Sequence, residues 1–285
     1  MGDISTAFVK QFGSNLDFLV QQKGSLLRNA VRLETVTGEE AYFDQLASTA
    51  AIKKTVRNSD TPLIKSDHRR RRVSMYDYEW ADLIDKEDKL KMLIDPQSDY
   101  AINAAWALGR SIDDAIIETF ANTAYAGKAG GTSTVFTAAN IVSAGATRLT
   151  LQKLLDAKLI LDSADVDPNE ARYIAITATQ LSDLLNISEI KDADFNTVRA
   201  LVRGEVDTFL GFKFIICNRL ATNGSGHRIC PMWVKSGTLL ALSKDISTRM
   251  SERSDKSYST QVYACMSIGA TRMEEEKCVQ ILCTE

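Results

Sequence analysis

Between Lys53 and Arg72 the chain carries eight basic residues and two acids, a local charge of +6, and the segment ends in four consecutive arginines, Arg69, Arg70, Arg71 and Arg72. From Asp77 to Asp88 six acids face one lysine, a local charge of −5. Neither block can enter an apolar core without a large desolvation cost, so each must lie on a surface or meet opposite charge. Between them Tyr76, Tyr78 and Trp80 recur at every second position, which places three aromatics on one face of an extended strand. That face needs something to cover it.

Away from this segment the composition is ordinary. The 285 residues are 45% hydrophobic and 25% charged with a net charge of −3, which fits a folded protein of about two domains at roughly 150 residues each. A disulfide-held miniprotein, a Pro-rich chain and a general polyanion binder are excluded. No run approaches the ~18 apolar residues of a membrane span, and the N-terminus is too polar for a signal peptide. The chain is therefore expected to be soluble and not exported. Five cysteines, all in the last quarter and without a Cys-x-x-Cys pair, are expected to be reduced thiols in a cytoplasmic setting.

The first 25 residues carry Ile4, Phe8, Phe12, Leu16 and Leu19 at mixed three- and four-residue spacing, as in a short amphipathic helix of an arm. Ser25 to Ile94 mixes strand and turn signals and is too polar for a core. At Asp95-Pro96 the pattern changes: Ser98 or Asp99 is expected to cap a helix whose apolar positions run from Ile102 to Phe120, with Gly127 as its stop. Such a helix of about 26 residues is about 39 Å long. A second helix is expected near Leu149 to Asp162, a strand at 172–177, a helix started by Thr179, and another through Val198, Leu201 and Val202 ending at Gly204. Gly211 opens a strand at 212–217, and the loop Asn223-Gly224-Ser225-Gly226 precedes one at 229–234. Closing strands are expected near 246–253, 261–266 and 278–282. No internal repeat is present.

Motifs for chemistry fail one by one. His68 and His227 are the only histidines, too few for a zinc site or a nucleophile triad. A Walker loop at Gly127-Lys128 lacks its first glycine, Asn122 standing there, and has Ala129 after the lysine. The turn from Asp165 has Glu170 and Ile176 where a calcium loop needs glycine and a carboxylate, and Ser225 lacks the elbow glycine at Asn223. Asp113 and Asp114 stand about 100° apart on the long helix and are expected on a solvated or interface face. No catalytic residue, metal or cofactor is expected. For the arginine run three readings stand: phosphate binding, solvation, or pairing with acids of a neighbouring chain such as Glu39, Glu40 or the Asp82 to Asp88 cluster. The adjacent acidic block favours the third, because on the same strand pair it would repel nucleic acid while offering a partner to a second copy.

The order of these elements, with TPLIKSDHRRRR at 61–72, YDYEWAD at 76–82 and YACMSIGATRM at 263–273, resembles the major capsid proteins of tailed bacteriophages of the short-tailed type, over nearly the whole chain. The resemblance implies an α+β fold of the Hong Kong 97 capsid type: an N-terminal arm at 1–25, an E-loop hairpin at 26–90, a peripheral domain at 91–165 and 240–285 with a long spine helix, and an axial α/β domain at 166–239. It implies a structural protein and no enzyme, self-assembling into hexamers and pentamers of an icosahedral head around double-stranded DNA. Its partners would be copies of itself, a scaffolding protein, a portal and the packaged DNA, held non-specifically, with no membrane. The chain would be made in the host bacterial cytoplasm and reside in the virion capsid. Arg69 to Arg72, Tyr76, Tyr78, Trp80, Asp82, Glu39 and Glu40 would meet neighbouring subunits. Asn223 to Gly226 would face the capsomer axis, disordered in a lone subunit and ordered in the ring. An encapsulin-like compartment shell and an α/β enzyme of unknown type are the alternatives.

Overall fold

The spacing of apolar residues builds one long helix, two shorter ones and three sheets in a computed structural model that describes residues 21–58, 60–85, 97–186 and 208–285. The strands are β1 (Arg32–Thr35), β2 (Glu40–Leu46), β3 (His68–Ser74), β4 (Tyr76–Ile84), β5 (Ala124–Ala126), β6 (Thr132–Thr134), β7 (Ile141–Val142), β8 (Arg172–Ile176), β9 (Thr208–Phe209), β10 (Phe212–Ile216), β11 (Arg228–Val234), β12 (Thr238–Arg253), β13 (Ser259–Arg272) and β14 (Cys278–Cys283). The helices are α1 (Gln97–Ala121), α2 (Leu151–Ser163) and α3 (Ala178–Asn186). The expected arm helix before residue 21, the acids Glu87 and Asp88 and the helix ending at Gly204 lie outside the described residues.

The described chain divides into two compact units. The larger takes residues 26–76, 112–243 and 268–285, and the smaller 21–25, 77–111 and 244–267. In the larger unit a mixed sheet has the order β7-β14-β11-β8-β10-β9. β8 and β10 run parallel, Phe212 beside Arg172 through Ile216 beside Ile176, and β11 runs antiparallel to both β8 and β14. The strands of this sheet read as near-continuous apolar runs because both faces are covered: Ile174, Ala175, Ile176, Cys230, Met232, Trp233, Val234, Val279 and Ile281 are fully buried. Trp233 packs on Phe120 and Tyr173 at 5.2 and 6.0 Å between ring centroids, and its indole N–H donates to the carbonyl of Ala30 at 3.0 Å. The sheet draws strands from both segments that the sequence assigns to axial and peripheral domains, because β14 slots between β7 and β11.

Two short helices follow the expected rules. Thr150 caps α2, its side chain accepting the Lys153 amide. At α3 Thr177 takes the capping position in place of Thr179, and the Gln180 side chain reaches back to accept the Thr177 amide at 3.1 Å. In α1, 25 residues long, Ala104, Leu108, Ile112, Ile116 and Phe120 fall at four-residue intervals and are buried. Ser98 and Asp99 lie within its first turn, and it ends at Ala121, before Gly127. Gly127, at φ 90°, instead turns the chain from β5 into β6.

The basic and acidic blocks do not pair with each other. β3 pairs antiparallel with β2, Glu40 opposite Ser74 through Leu46 opposite His68, in a sheet ordered β2-β3-β5-β6. β4 is the edge strand of a third sheet, β1-β12-β13-β4. Met75 alone separates the two strands, and its amide donates to the Glu39 carbonyl. The closing strands are longer than their apolar cores suggest, since β12 runs 16 residues with only its first four buried. In the smaller unit β13 alternates, Val262, Ala264 and Met266 inward, Tyr263 and Cys265 outward.

Gly269 of β13 lies against β3, where an added Cβ would collide with the Ser74 carbonyl and sit 2.9 Å from Val73 Cγ1. Gly269→Ala is expected to cost about 1–3 kcal/mol, as overpacking does. Urea unfolding of the two proteins, read by fluorescence, measures it.

Candidate functional site

The alternation of a β-strand sends the four arginines of β3 to two faces. Arg70 and Arg72 lie directly opposite Asp44 and Tyr42 on β2. Arg70 Nε donates to Asp44 Oδ1 at 2.6 Å, and Arg72 Nη1 stands 3.2 Å from Glu40 Oε1. Their guanidiniums also cover Tyr42 and Tyr125, at 5.8 and 4.8 Å from the ring centres. The bond from Arg70 holds the Asp44 carboxyl below its ordinary range.

The other face goes inward. Arg71 is 7% exposed; its Nε donates to the Met273 carbonyl at 2.9 Å and its Nη2 to Glu275 at 3.1 Å. Glu275 is shared, since Arg272 Nε donates to its second oxygen at 3.0 Å. Arg272 is 1% exposed and spends its remaining donors on the carbonyls of Thr119, Asn122 and Thr134, two of them at the C-terminal end of α1, while stacking on Phe136. It thereby satisfies carbonyls that a helix end leaves unpaired. Burial pulls the Arg71 guanidinium below its ordinary pKa, with Glu275 acting in the opposite sense.

Three of the four arginines thus meet acids of their own chain, Arg70 with Asp44, Arg71 with Glu275 and Arg72 with Glu40. Among the described residues Arg69 has no ion pair. Glu40 is occupied by Arg72 and by the Tyr42 hydroxyl, whereas Glu39 is exposed. On β4, Tyr76 is 64% exposed, and Tyr78 and Trp80 are half-buried on their common face. Glu79 accepts from the Tyr263 hydroxyl and Asp85 from Ser259; Asp82 is exposed and, among the described residues, bonds only the adjacent Leu83 amide.

The loop at 223–226 is held by its own chain. The Asn223 side chain accepts the amides of Ser225 and His227 at 3.0 and 2.9 Å, the Asn223 amide donates to the His227 carbonyl, and Gly226 turns at φ 78°. The turn is closed by bonds within one chain. Asp113 departs from the solvated or interface face expected for it. It is fully buried and accepts the backbone amides of Leu26 and Leu27 at about 3.0 Å, while Asp114 reaches the surface and pairs with Arg219. Arg272 and Glu275 escaped the sequence reading, although an isolated arginine closing a strongly apolar strand signals a buried partner.

The five thiols are free, four buried and Cys265 half-buried. Lys244 Nζ stands 3.0 Å from Cys265 Sγ and Ser247 Oγ 3.4 Å, and together they hold this thiol below its ordinary pKa. Burial pushes Cys278 up to about 12. Among the described residues no group of three or more His, Cys, Asp or Glu side chains is placed to hold a metal ion.

These ion pairs, the edge strand and the half-buried aromatics stand on an α+β fold of the Hong Kong 97 capsid type. The family model for phage capsid proteins matches residues 4–285, and the chain belongs to that family. Its function is to form the shell of the phage head. Solved structures share the fold. The head of Helicobacter pylori bacteriophage KHP40 superposes with a TM-score of 0.73 at 12% identity over 99% of this chain and 98% of that one. For Mycobacterium phage Che8 the values are 0.71 and 14% over 97% of each chain, and for the capsid of cyanophage P-SCSP1u 0.70 and 15% over 98% and 94%. Comparison with curated protein sequences gives no match.

Two measurements check the electrostatics. Glu275→Gln leaves two buried guanidiniums without their shared carboxylate and is expected to cost about 3–5 kcal/mol in urea unfolding; Asp44→Asn, on the exposed pair, leaves the midpoint nearly unchanged. On the unassembled chain at pH 8, iodoacetamide followed by peptide mass mapping is expected to find Cys265 alkylated first and Cys278 last.

Proposed function

We propose that this chain is the major capsid protein whose copies form the hexamers and pentamers of an icosahedral head. The hairpin formed by β2, β3 and the 21 residues between them carries this reading. That connection exposes Ile52, Val56, Leu63 and Ile64, with Leu63 93% exposed, and Leu46 at its base is 65% exposed. So many exposed apolar side chains on one polar connection mark a surface that another molecule covers. A neighbouring subunit supplies that surface, and the half-covered Tyr78 and Trp80 with exposed Tyr76 extend the same demand along β4.

In this reading 1–25 is the arm, 26–90 the E-loop region, 91–165 with 240–285 the peripheral domain containing α1, and 166–239 the axial domain with Asn223 to Gly226 at the capsomer axis. A scaffolding protein and a portal would act with it, and double-stranded DNA would be enclosed without sequence recognition. The role is structural, not catalytic, and the place is the virion.

Electron microscopy of the protein expressed with its genomic neighbours is expected to show closed shells with rings of five and six subunits. Particles enclosing protein without DNA would indicate a compartment shell, and a small discrete oligomer would overturn the reading.

A further inference from the structure

The arginine strand borders a groove of about 590 Å3, and every residue lining it belongs to the larger unit. Arg71 lines its inner part; Arg69 and Lys128, both exposed, line its rim. The charge inside is incomplete. Arg71 and Arg272 share the single carboxylate of Glu275, and Arg71 Nη1 is buried with no hydrogen-bond partner. A buried guanidinium with an unmet donor is costly, and a carboxylate supplies the acceptor and the missing charge together. Arg69 and Lys128 add two cations without ion pairs among the described residues at the entrance, while Arg70 is already spent on Asp44.

The ligand is a set of separate side-chain carboxylates and not a phosphate chain. Asp44, Glu274, Glu275 and Glu276 line the same groove and would repel a polyanion along its length. A carboxylate that meets Arg71 Nη1 stands beside Glu275, and the second guanidinium there, that of Arg272, offsets the added charge. The chain itself offers such acids: β4 is the edge strand of its sheet, and Asp77 and Asp82 on it are exposed and without ion pairs among the described residues. An edge strand is free to approach another molecule.

We propose that this groove, with Arg71 inside and Arg69 and Lys128 at its rim, receives the acidic side chains of β4, Asp77 and Asp82, from a second copy of this chain. The inference rests on the shell reading and names one contact within it. Blocks of opposite sign that lie close in sequence, yet sit in different sheets, then meet between copies.

Four proteins, each expressed with the genomic neighbours, test it: the natural sequence, Arg69→Glu with Lys128→Glu, Asp77→Lys with Asp82→Lys, and the combination of all four changes. The altered side chains are exposed, so circular dichroism and thermal melting of the unassembled chains are expected to match throughout. Each double variant is expected to lower the yield of sedimenting shells about tenfold or more, since like charges then face each other at every copy of the contact. The combination, which exchanges the two signs, is expected to recover about half the natural yield or better, as a coupled pair does in a double-mutant cycle. Unchanged yields in the two double variants would overturn the proposal. Loss in both without recovery in the combination would overturn β4 of a second copy as the occupant and point to an acidic segment of another protein. If the natural sequence itself gave no shells, the shell reading would fall and this contact with it.

Discussion

One carboxylate, that of Glu275, holds the larger unit's most consequential junction. It lies between Arg71, which comes from the charged hairpin, and Arg272, which closes β13 and ties down the carbonyls at the end of α1. Two guanidiniums and one carboxylate cannot be taken from water cheaply, so the arrangement persists only because backbone carbonyls of Met273, Thr119, Asn122 and Thr134 accept most of the remaining donors. Hairpin, helix end and closing strand are thereby fixed to a common point. The hairpin is held at its base while its far end stays in solvent.

Much of the fold was legible from spacing. α1, α2, β8, β10, β11 and β14 fall close to where their apolar periodicity puts them, because burial on one face or two is what that periodicity records. The extent of β12 was not legible, since its outer twelve residues are half-buried or exposed and the ladder is set by its neighbours. Nor was the pairing of β3. Adjacent blocks of opposite charge suggest a hairpin, yet Met75 directs the two strands into different sheets, and the partners of β3 are the polar residues of β2 that precede it by about thirty positions. At the candidate site, the aromatic alternation at Tyr78 and Trp80 was readable. The buried roles of Asp113, Arg71 and Arg272 were not, because a charge is buried only by long-range partners that sequence spacing does not display.

The near-neutral total charge takes on a different meaning with these partners in view. Cross-strand pairs within the hairpin, Arg70 with Asp44 and Arg72 with Glu40, meet two of the eight cations of the basic block internally, and Glu275 meets a third, Arg71. Among the described residues Arg69 and Lys128 at one place, and Asp77 and Asp82 at another, are exposed and without ion pairs. A few matched charges suit the selection of register, whereas the strength of a shell comes from apolar area repeated in every copy.

The exposed apolar end of the hairpin also has a cost in time. Until Ile52, Val56, Leu63 and Ile64 are covered, a free subunit is adhesive toward any surface it meets, its own unfolded siblings included. The rate of unwanted association rises with the concentration of free chain. Supply of subunits must therefore stay matched to their uptake, and the balance between ordered particle and amorphous precipitate is set by kinetics as much as by affinity.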